Sequence, residues 1–103
     1  ILYNLISNAI KYKHPYRNPV INISTYLEEE FVVIEVGDNG LGFDMAMKDK
    51  MFSMFKRLHD HVEGSGVGLY IVKRLVDDNN GKLEVNSVIN EGSTFKIYLP
   101  HIH

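Results

Sequence analysis

Cysteine and tryptophan are both missing from the 103 residues of this chain. Without cysteine there can be no disulfide and no thiolate metal site, and the composition suits a reducing compartment. No apolar run approaches the roughly 20 residues that a membrane-spanning helix needs. There is no basic run of the kind that docks on an anionic membrane surface. The charge is nearly balanced, 11 Lys and Arg against 13 Asp and Glu for a net −2, so electrostatics give no reason to expect nucleic acid as a partner. Repeats and low-complexity tracts are absent as well. What remains is a chain with 45% hydrophobic residues and the length of one domain.

The hydrophobic pattern divides that chain into two similar halves. Residues 1–12, ILYNLISNAIKY, place Leu2, Leu5, Ile6, Ala9 and Ile10 on one face of a helix, with Asn4, Asn8 and Lys11 stacked on the other. The pair His14-Pro15 ends the helix, because the residue before proline is driven out of the α region. Residues 20–27 alternate as a strand, and Glu28-Glu29-Glu30 is a polar turn. Residues 31–36, FVVIEV, form a second and more central strand of a hairpin, being apolar almost throughout. After the glycine-rich segments GDNGLG (37–42) and GSGVG (64–68), a second helix runs to about Asn79 with Leu69, Val72, Leu75 and Val76 inward. Asn80-Gly81 is its C-cap signal. Residues 82–88 and 93–99 make two further strands around the turn Asn90-Glu91-Gly92, and Pro100 closes the sheet. The order predicts an α/β (α+β two-layer) sandwich, with helices on one face of a mixed, mostly antiparallel sheet. Residue 1 already lies inside the first helical pattern, so the domain reads as open at its N-terminal side.

Three segments carry chemistry. The carboxamides of Asn4 and Asn8, one helical turn apart, are neutral oxygen ligands of the kind Mg2+ accepts beside nucleotide phosphates, and Lys11 can neutralise phosphate charge. Taken alone, this face reads more readily as a solvated helix surface. Asp38-Asn39-Gly40-Leu41-Gly42 puts a carboxylate at a strand end, where it can accept from an exocyclic amine, and follows it with glycines that let backbone approach a ligand. Taken alone, that is a common Asp-Asn-Gly turn. Gly64-Ser65-Gly66-Val67-Gly68 opens a helix, whose free N–H groups and positive dipole end attract anions. It is neither a P-loop, since no Lys-Ser/Thr follows, nor a dinucleotide fingerprint, since no βαβ crossover surrounds it.

Together these segments resemble the ATP-binding domains shared by type II topoisomerases, heat-shock chaperones, histidine kinases and mismatch-repair proteins, and within that superfamily the sensor histidine kinases. NLISNAIKY (4–12) resembles the N box, DNGLGFD (38–44) the G1 box, MFSMFKRLH (51–59) the F box and GSGVGLYIVK (64–73) the G2 box. The tail EGSTFKIYLP (91–100) is similar to the closing strand of the same domain. The resemblance covers nearly the whole chain. It implies the Bergerat-type ATP fold, with ATP and Mg2+ as ligands. Asn8 would coordinate the metal with Asn4 nearby, Lys11 would contact phosphate, and Tyr12 would pack near the base or ribose. Asp38 would bind the adenine amine, with Gly40 and Gly42 shaping its pocket and Thr94 supporting Asp38. Gly64, Ser65, Gly66, Val67, Gly68 and Leu69 would hold the phosphates. Residues 43–63 would form a mobile lid anchored by Phe52 and Phe55, with Arg57 reaching the phosphates or a partner helix.

One position separates kinase from ATPase in this resemblance. Where the hydrolysing relatives carry a glutamate that activates water, one turn before the metal asparagine, this chain has Asn4, which is neutral and no general base. The implied reaction is transfer of the γ-phosphoryl group to a histidine on a dimerisation domain, with a response-regulator receiver downstream. The domain would be cytoplasmic and make no direct membrane contact, whether the parent is soluble or membrane-anchored. None of the five histidines is read as lying on a helix before an acidic residue in the way the family presents its substrate; His59 falls in the F-box segment and His61 in the expected lid. The substrate histidine is therefore expected elsewhere in the parent, and the fragment alone is expected to be inactive in autophosphorylation. About 40 residues of strand, helix and strand that precede the N box in the family are expected to be missing, a substantial part of a normal core. A nucleotide-binding or scaffold module without phosphotransfer is the alternative reading.

Overall fold

A computed structural model describes residues 2–51 and 68–101. The sequence readings for Phe52, Phe55, Arg57, Gly64, Ser65, Gly66 and Val67 lie outside the described residues. Helix α1 spans Leu2–Lys11, followed by the hairpin β1 (Ile21–Glu28) and β2 (Phe31–Asp38). A 3-10 turn (Met45–Met47) and the short helix α2 (Lys48–Met51) come next, then α3 (Gly68–Asp78), β3 (Lys82–Val88) and β4 (Gly92–Pro100). The strands form one sheet in the order β1-β2-β4-β3, and every neighbouring pair is antiparallel. The sheet was expected to be mixed; among the described residues it contains no parallel pair.

The more continuously apolar strand, β2, lies inside the sheet between β1 and β4. Its residues Ile34, Val36 and Asp38 face the helices, as do Ser93, Phe95 and Ile97 opposite them, because directly paired residues share a face. Against that face pack Leu5 from α1 and Leu69, Val72 and Val76 from α3, forming one core with Val36, Phe43, Val85, Phe95 and Ile97. Truncating a buried aromatic such as Phe95 to alanine costs about 3–5 kcal/mol in a core of this kind.

Several expectations shift at element ends. Gly37 and Asp38, which looked like the start of a loop, continue β2 and pair with Asn22 and Ile21 on one side and with Thr94 and Ser93 on the other. Pro100 is itself the last rung of β4, opposite Phe31. It is tolerated in an interior strand because β3 begins opposite Tyr98, so no strand faces the missing N–H. Phe43, the first residue of the expected lid, is a core residue at 3% exposure. The C-cap of α3 forms with Asn80, at φ 59°, taking the left-handed position while Gly81 N–H bonds back to Val76. Leu2, Ile10 and Leu75, read as inward, are exposed.

Candidate functional site

The site sits where the helix-facing end of β2 meets the end of α1 and the β3–β4 turn. Asp38 is the last residue of β2 and half-buried. Its Oδ1 accepts from Gly40 N–H at 2.9 Å. Burial raises its pKa, while the backbone donors of Gly40 and Ser93 partly counter that rise. Two backbone donors leave a carboxylate with acceptor capacity to spare, which suits an incoming N–H donor.

Backbone bonds hold the loop after Asp38 from both sides. Leu41 N–H donates to the Tyr12 carbonyl at 2.8 Å, tying the loop to the end of α1. Asn90 N–H donates to the Leu41 carbonyl at 2.7 Å, tying it to the β3–β4 turn. Asn39 turns outward, accepting from Val20 N–H at 2.9 Å and donating to the Asn18 carbonyl at 3.0 Å. The glycines are required by this closeness. A Cβ on Gly40 would lie 2.6 Å from the Tyr12 carbonyl oxygen, and one on Gly42, at φ +64°, would lie 2.1 Å from that of Val88.

Two buried serines complete the floor. The Ser87 hydroxyl donates to the Gly92 carbonyl at 2.9 Å and accepts from Phe43 N–H at 2.8 Å. It has one proton, so the 2.7 Å contact with the Ser93 hydroxyl makes Ser93 the donor. No buried side-chain nitrogen or oxygen among the described residues lacks a partner.

The structure brings Asp38, Gly40, Gly42 and the Tyr12 backbone together at one place. Asn4 and Asn8 lie half-buried on α1, and Lys11 is exposed in its last turn. Gly68 is the first residue of α3, and Leu69 is held in the core with Leu5 and Phe43, which draws the start of α3 towards α1 and the segment after Gly42. The expectation for Thr94 needs correction. Thr94 pairs with Gly37, one rung away from Asp38, and strand alternation puts it on the face away from the helices; the residue opposite Asp38 is Ser93. Sequence reasoning also missed Ser87, Gly92 and Arg17. A Cβ on Gly92, at φ +133°, would lie 2.0 Å from the Asp38 carbonyl oxygen. The only local signal for Gly92 was its place in an Asn-Glu-Gly turn, and Arg17 had none.

Among the described residues no three His, Cys, Asp or Glu side chains come together to hold a metal ion. A cation at this site would draw its ligands from the Asn4 and Asn8 carboxamides and from the phosphates of a ligand, and two half-buried neutral oxygens one helical turn apart fit that demand. His14, by contrast, accepts at Nδ1 from Tyr16 N–H at 3.1 Å, a turn contact with no part in the site. No described helix is long and apolar enough to cross a membrane.

The model of the family described as histidine kinase-, DNA gyrase B- and HSP90-like ATPase matches residues 1–103. Sensor protein RprX of Bacteroides fragilis is 36% identical over 104 residues, a match covering 97% of this chain and 20% of the relative. Cyanobacterial phytochrome A of Nostoc is 37% identical over 102 residues, covering 97% and 13%. The chain thus spans a fifth or less of these relatives' length. Among solved structures, a mycobacterial sensor histidine kinase, MprB, superposes with a TM-score of 0.81 at 27% identity, covering 94% of this chain and 67% of the other. The nucleotide-free catalytic domain of the histidine kinase ThkA gives 0.77 at 29%, covering 96% and 62%.

Proposed function

Because this chain belongs to the histidine kinase-, DNA gyrase B- and HSP90-like ATPase family and is homologous to the ATP-binding catalytic domains of sensor histidine kinases, we propose that it binds ATP with Mg2+ and serves γ-phosphoryl transfer to a histidine of its parent protein. The observation that carries the reading is Asp38. It is a half-buried carboxylate at a strand end, clamped by Gly40 N–H and set beside two glycines that let the loop pack directly against the Tyr12 and Val88 carbonyls. Such a group selects a ligand that offers an N–H donor at the edge of a flat base, as adenine does.

Each residue then has a part. Asp38 accepts from the adenine amine, and Gly40 and Gly42 shape the loop beside the base pocket. Tyr12 lies at the junction of α1 and the base loop. Asn8 and Asn4 offer carboxamide oxygens to the metal, and Lys11 offers a positive charge to phosphate. Gly64, Ser65, Gly66, Val67 and Gly68 would offer their N–H groups to the phosphates, since a helix N-terminus attracts anions. When bound, Mg2+ supplies charge neutralisation to the phosphates. In the transfer the bond from the γ-phosphorus to the β-phosphate oxygen breaks as a bond to an imidazole nitrogen forms, and ADP leaves.

Asn4 cannot take a proton from water, so the site favours a nucleophile brought to it over hydrolysis. The dimerisation domain that presents the histidine and the receiver that takes the phosphoryl group onward are the partners this reading requires. A module without phosphotransfer is not favoured, since the relatives are histidine kinases. Titration calorimetry of the chain with a non-hydrolysable ATP analogue and Mg2+ tests the binding step. Saturable heat in folded protein is expected, and its absence would remove the reading. Asn4→Glu is expected to leave phosphate release slow, because a base alone does not position water; brisk release from that variant would assign the kinase character to a single residue.

A further inference from the structure

We propose that Arg17 is a positioning residue of the base pocket: by bridging the Gly40 and Asn90 carbonyls, it fixes the peptide that presents Asp38. The proposal rests on the reading of Asp38 as the acceptor of a base amine.

Arg17 lies in the loop between α1 and β1. One terminal guanidinium nitrogen donates to the Gly40 carbonyl at 3.1 Å and also to the Asn90 carbonyl. These acceptors come from segments far apart in sequence, the loop after β2 and the β3–β4 turn. Two carbonyl oxygens converging on one point repel each other, and a cation between them removes that repulsion. A guanidinium suits the place because it stays charged and has several donors in a planar fork.

Arg17 therefore controls one peptide plane. The carbonyl of the Gly40–Leu41 peptide accepts from Arg17, and its N–H donates to Tyr12. Both ends being held, the plane cannot rotate without losing both bonds. The preceding amide, Gly40 N–H, is the donor on Asp38 Oδ1. Releasing the Gly40 carbonyl leaves the plane held only at Leu41 N–H and loosens the clamp on the Asp38 carboxylate. The Asn90 arm acts in parallel, since Asn90 N–H holds the next carbonyl, that of Leu41. Arg17 thus closes a ring joining the end of α1, the base loop and the β3–β4 turn. That one nitrogen is committed to two backbone carbonyls, a role distinct from contact with phosphate.

The test separates base from phosphate. Calorimetric affinities are measured for adenosine, and separately for inorganic tripolyphosphate with Mg2+, on the wild-type chain and on Arg17→Ala. Adenosine binding is expected to weaken about tenfold, the size of one net charge-assisted hydrogen bond, with tripolyphosphate binding unchanged. Amide hydrogen exchange at Leu41 and Asn90 is expected to quicken. Unchanged adenosine affinity, or an equal loss for both ligands, overturns the proposal; the second result would make Arg17 a phosphate contact or a general support of the fold. If Arg17→Ala does not fold, Arg17→Gln carries the test, because its carboxamide is uncharged and two bonds shorter than the guanidinium and so loses at least one of the two carbonyls. At least a threefold selective loss for adenosine is then expected from losing one of the two bonds, and no loss overturns the proposal. Asp38→Ala is the control. If it too leaves adenosine binding intact, the base-pocket reading has failed, which differs from a result in which Asp38 matters and Arg17 does not.

Discussion

The base end of the sheet and its β1 edge are built from the same strands by opposite means. At the base end order comes from backbone hydrogen bonds between Tyr12, Leu41 and Asn90, from the buried Ser87–Ser93 pair and from the Arg17 bridge. At the edge, Ile23 and Leu27 point the same way as the core residue Val36 yet stand 45% and 67% exposed, with no described element over them. The far face of the sheet shows that an uncovered surface need not be left that way. There Val33 is fully buried without a helix above it, sheltered among side chains such as Tyr26, Tyr98 and Phe31. Tyr98 meets Phe31 edge-on at 5.9 Å, lies under Lys82 and bonds to Glu84, whose carboxyl that bond holds below its usual range. The far face is finished with polar tips, whereas the β1 edge is bare. The base end is therefore tied together by hydrogen bonds, while apolar side chains of the β1 edge stand exposed among the described residues.

The largest expected break of that contrast is Gly42→Ala. A left-handed φ and a Cβ 2.1 Å from the Val88 carbonyl oxygen force backbone to move on both sides of the loop. A loss of about 3 kcal/mol in denaturant unfolding is expected, together with loss of nucleotide binding. A loss below about 1 kcal/mol would mean the base end gives way easily and is not held as tightly as its bonds imply.

Asp38→Asn should divide function from stability at the same place. Asparagine keeps an oxygen for Gly40 N–H but turns a donor towards an incoming amine, so adenine affinity should fall about a hundredfold, a cost of about 2.7 kcal/mol. Burial raises the pKa of Asp38, so the native state holds its proton more tightly than the unfolded chain does. The stability this confers is fully present below the ordinary carboxylate pKa near 3.8 and is lost as pH rises through the raised native value. At neutral pH without ligand, Asp38→Asn should therefore match or exceed the wild type, by less than about 1 kcal/mol, and the difference should close as pH falls below that range. Unfolding curves at neutral and acid pH check the sign; a variant that is less stable only at neutral pH would show that the carboxylate holds the loop together.

The two regions were not equally legible in the sequence. Apolar continuity in FVVIEV located the central strand, and the spacing of Asn4, Asn8 and Lys11 located the polar face of α1, because both are local periodicities. Asp38 was placed correctly at a strand end, although Gly37 made the strand look two residues shorter than it is. Arg17 and Asn90 lie 73 residues apart, and Ser87 meets Phe43 across 44, so neither contact leaves a pattern in any local window. The misreading of Thr94 has a simple cause: a one-residue difference in register puts a strand side chain on the other face. Burial of Leu2, Ile10 and Leu75 was overestimated because an apolar stripe marks which face can be covered, while the neighbouring elements decide how much of it is.

The smallest expected effect is at the bare edge. Replacing Ile23 and Leu27 together with threonine keeps β propensity and removes apolar surface that is already wet, so stability should change by no more than about 0.5 kcal/mol. Nucleotide affinity should not change, since both side chains lie along β1 away from Asp38 and Gly42. What should change is self-association. Contiguous exposed apolar side chains favour contact with other molecules, so sedimentation of the wild-type chain should show concentration-dependent association that the double variant lacks. A wild-type chain that stays monomeric across that range, or a double variant that unfolds far more easily, would show that the edge is finished in a way its exposure hides. The contrast between a hydrogen-bonded base end and a bare edge would then disappear.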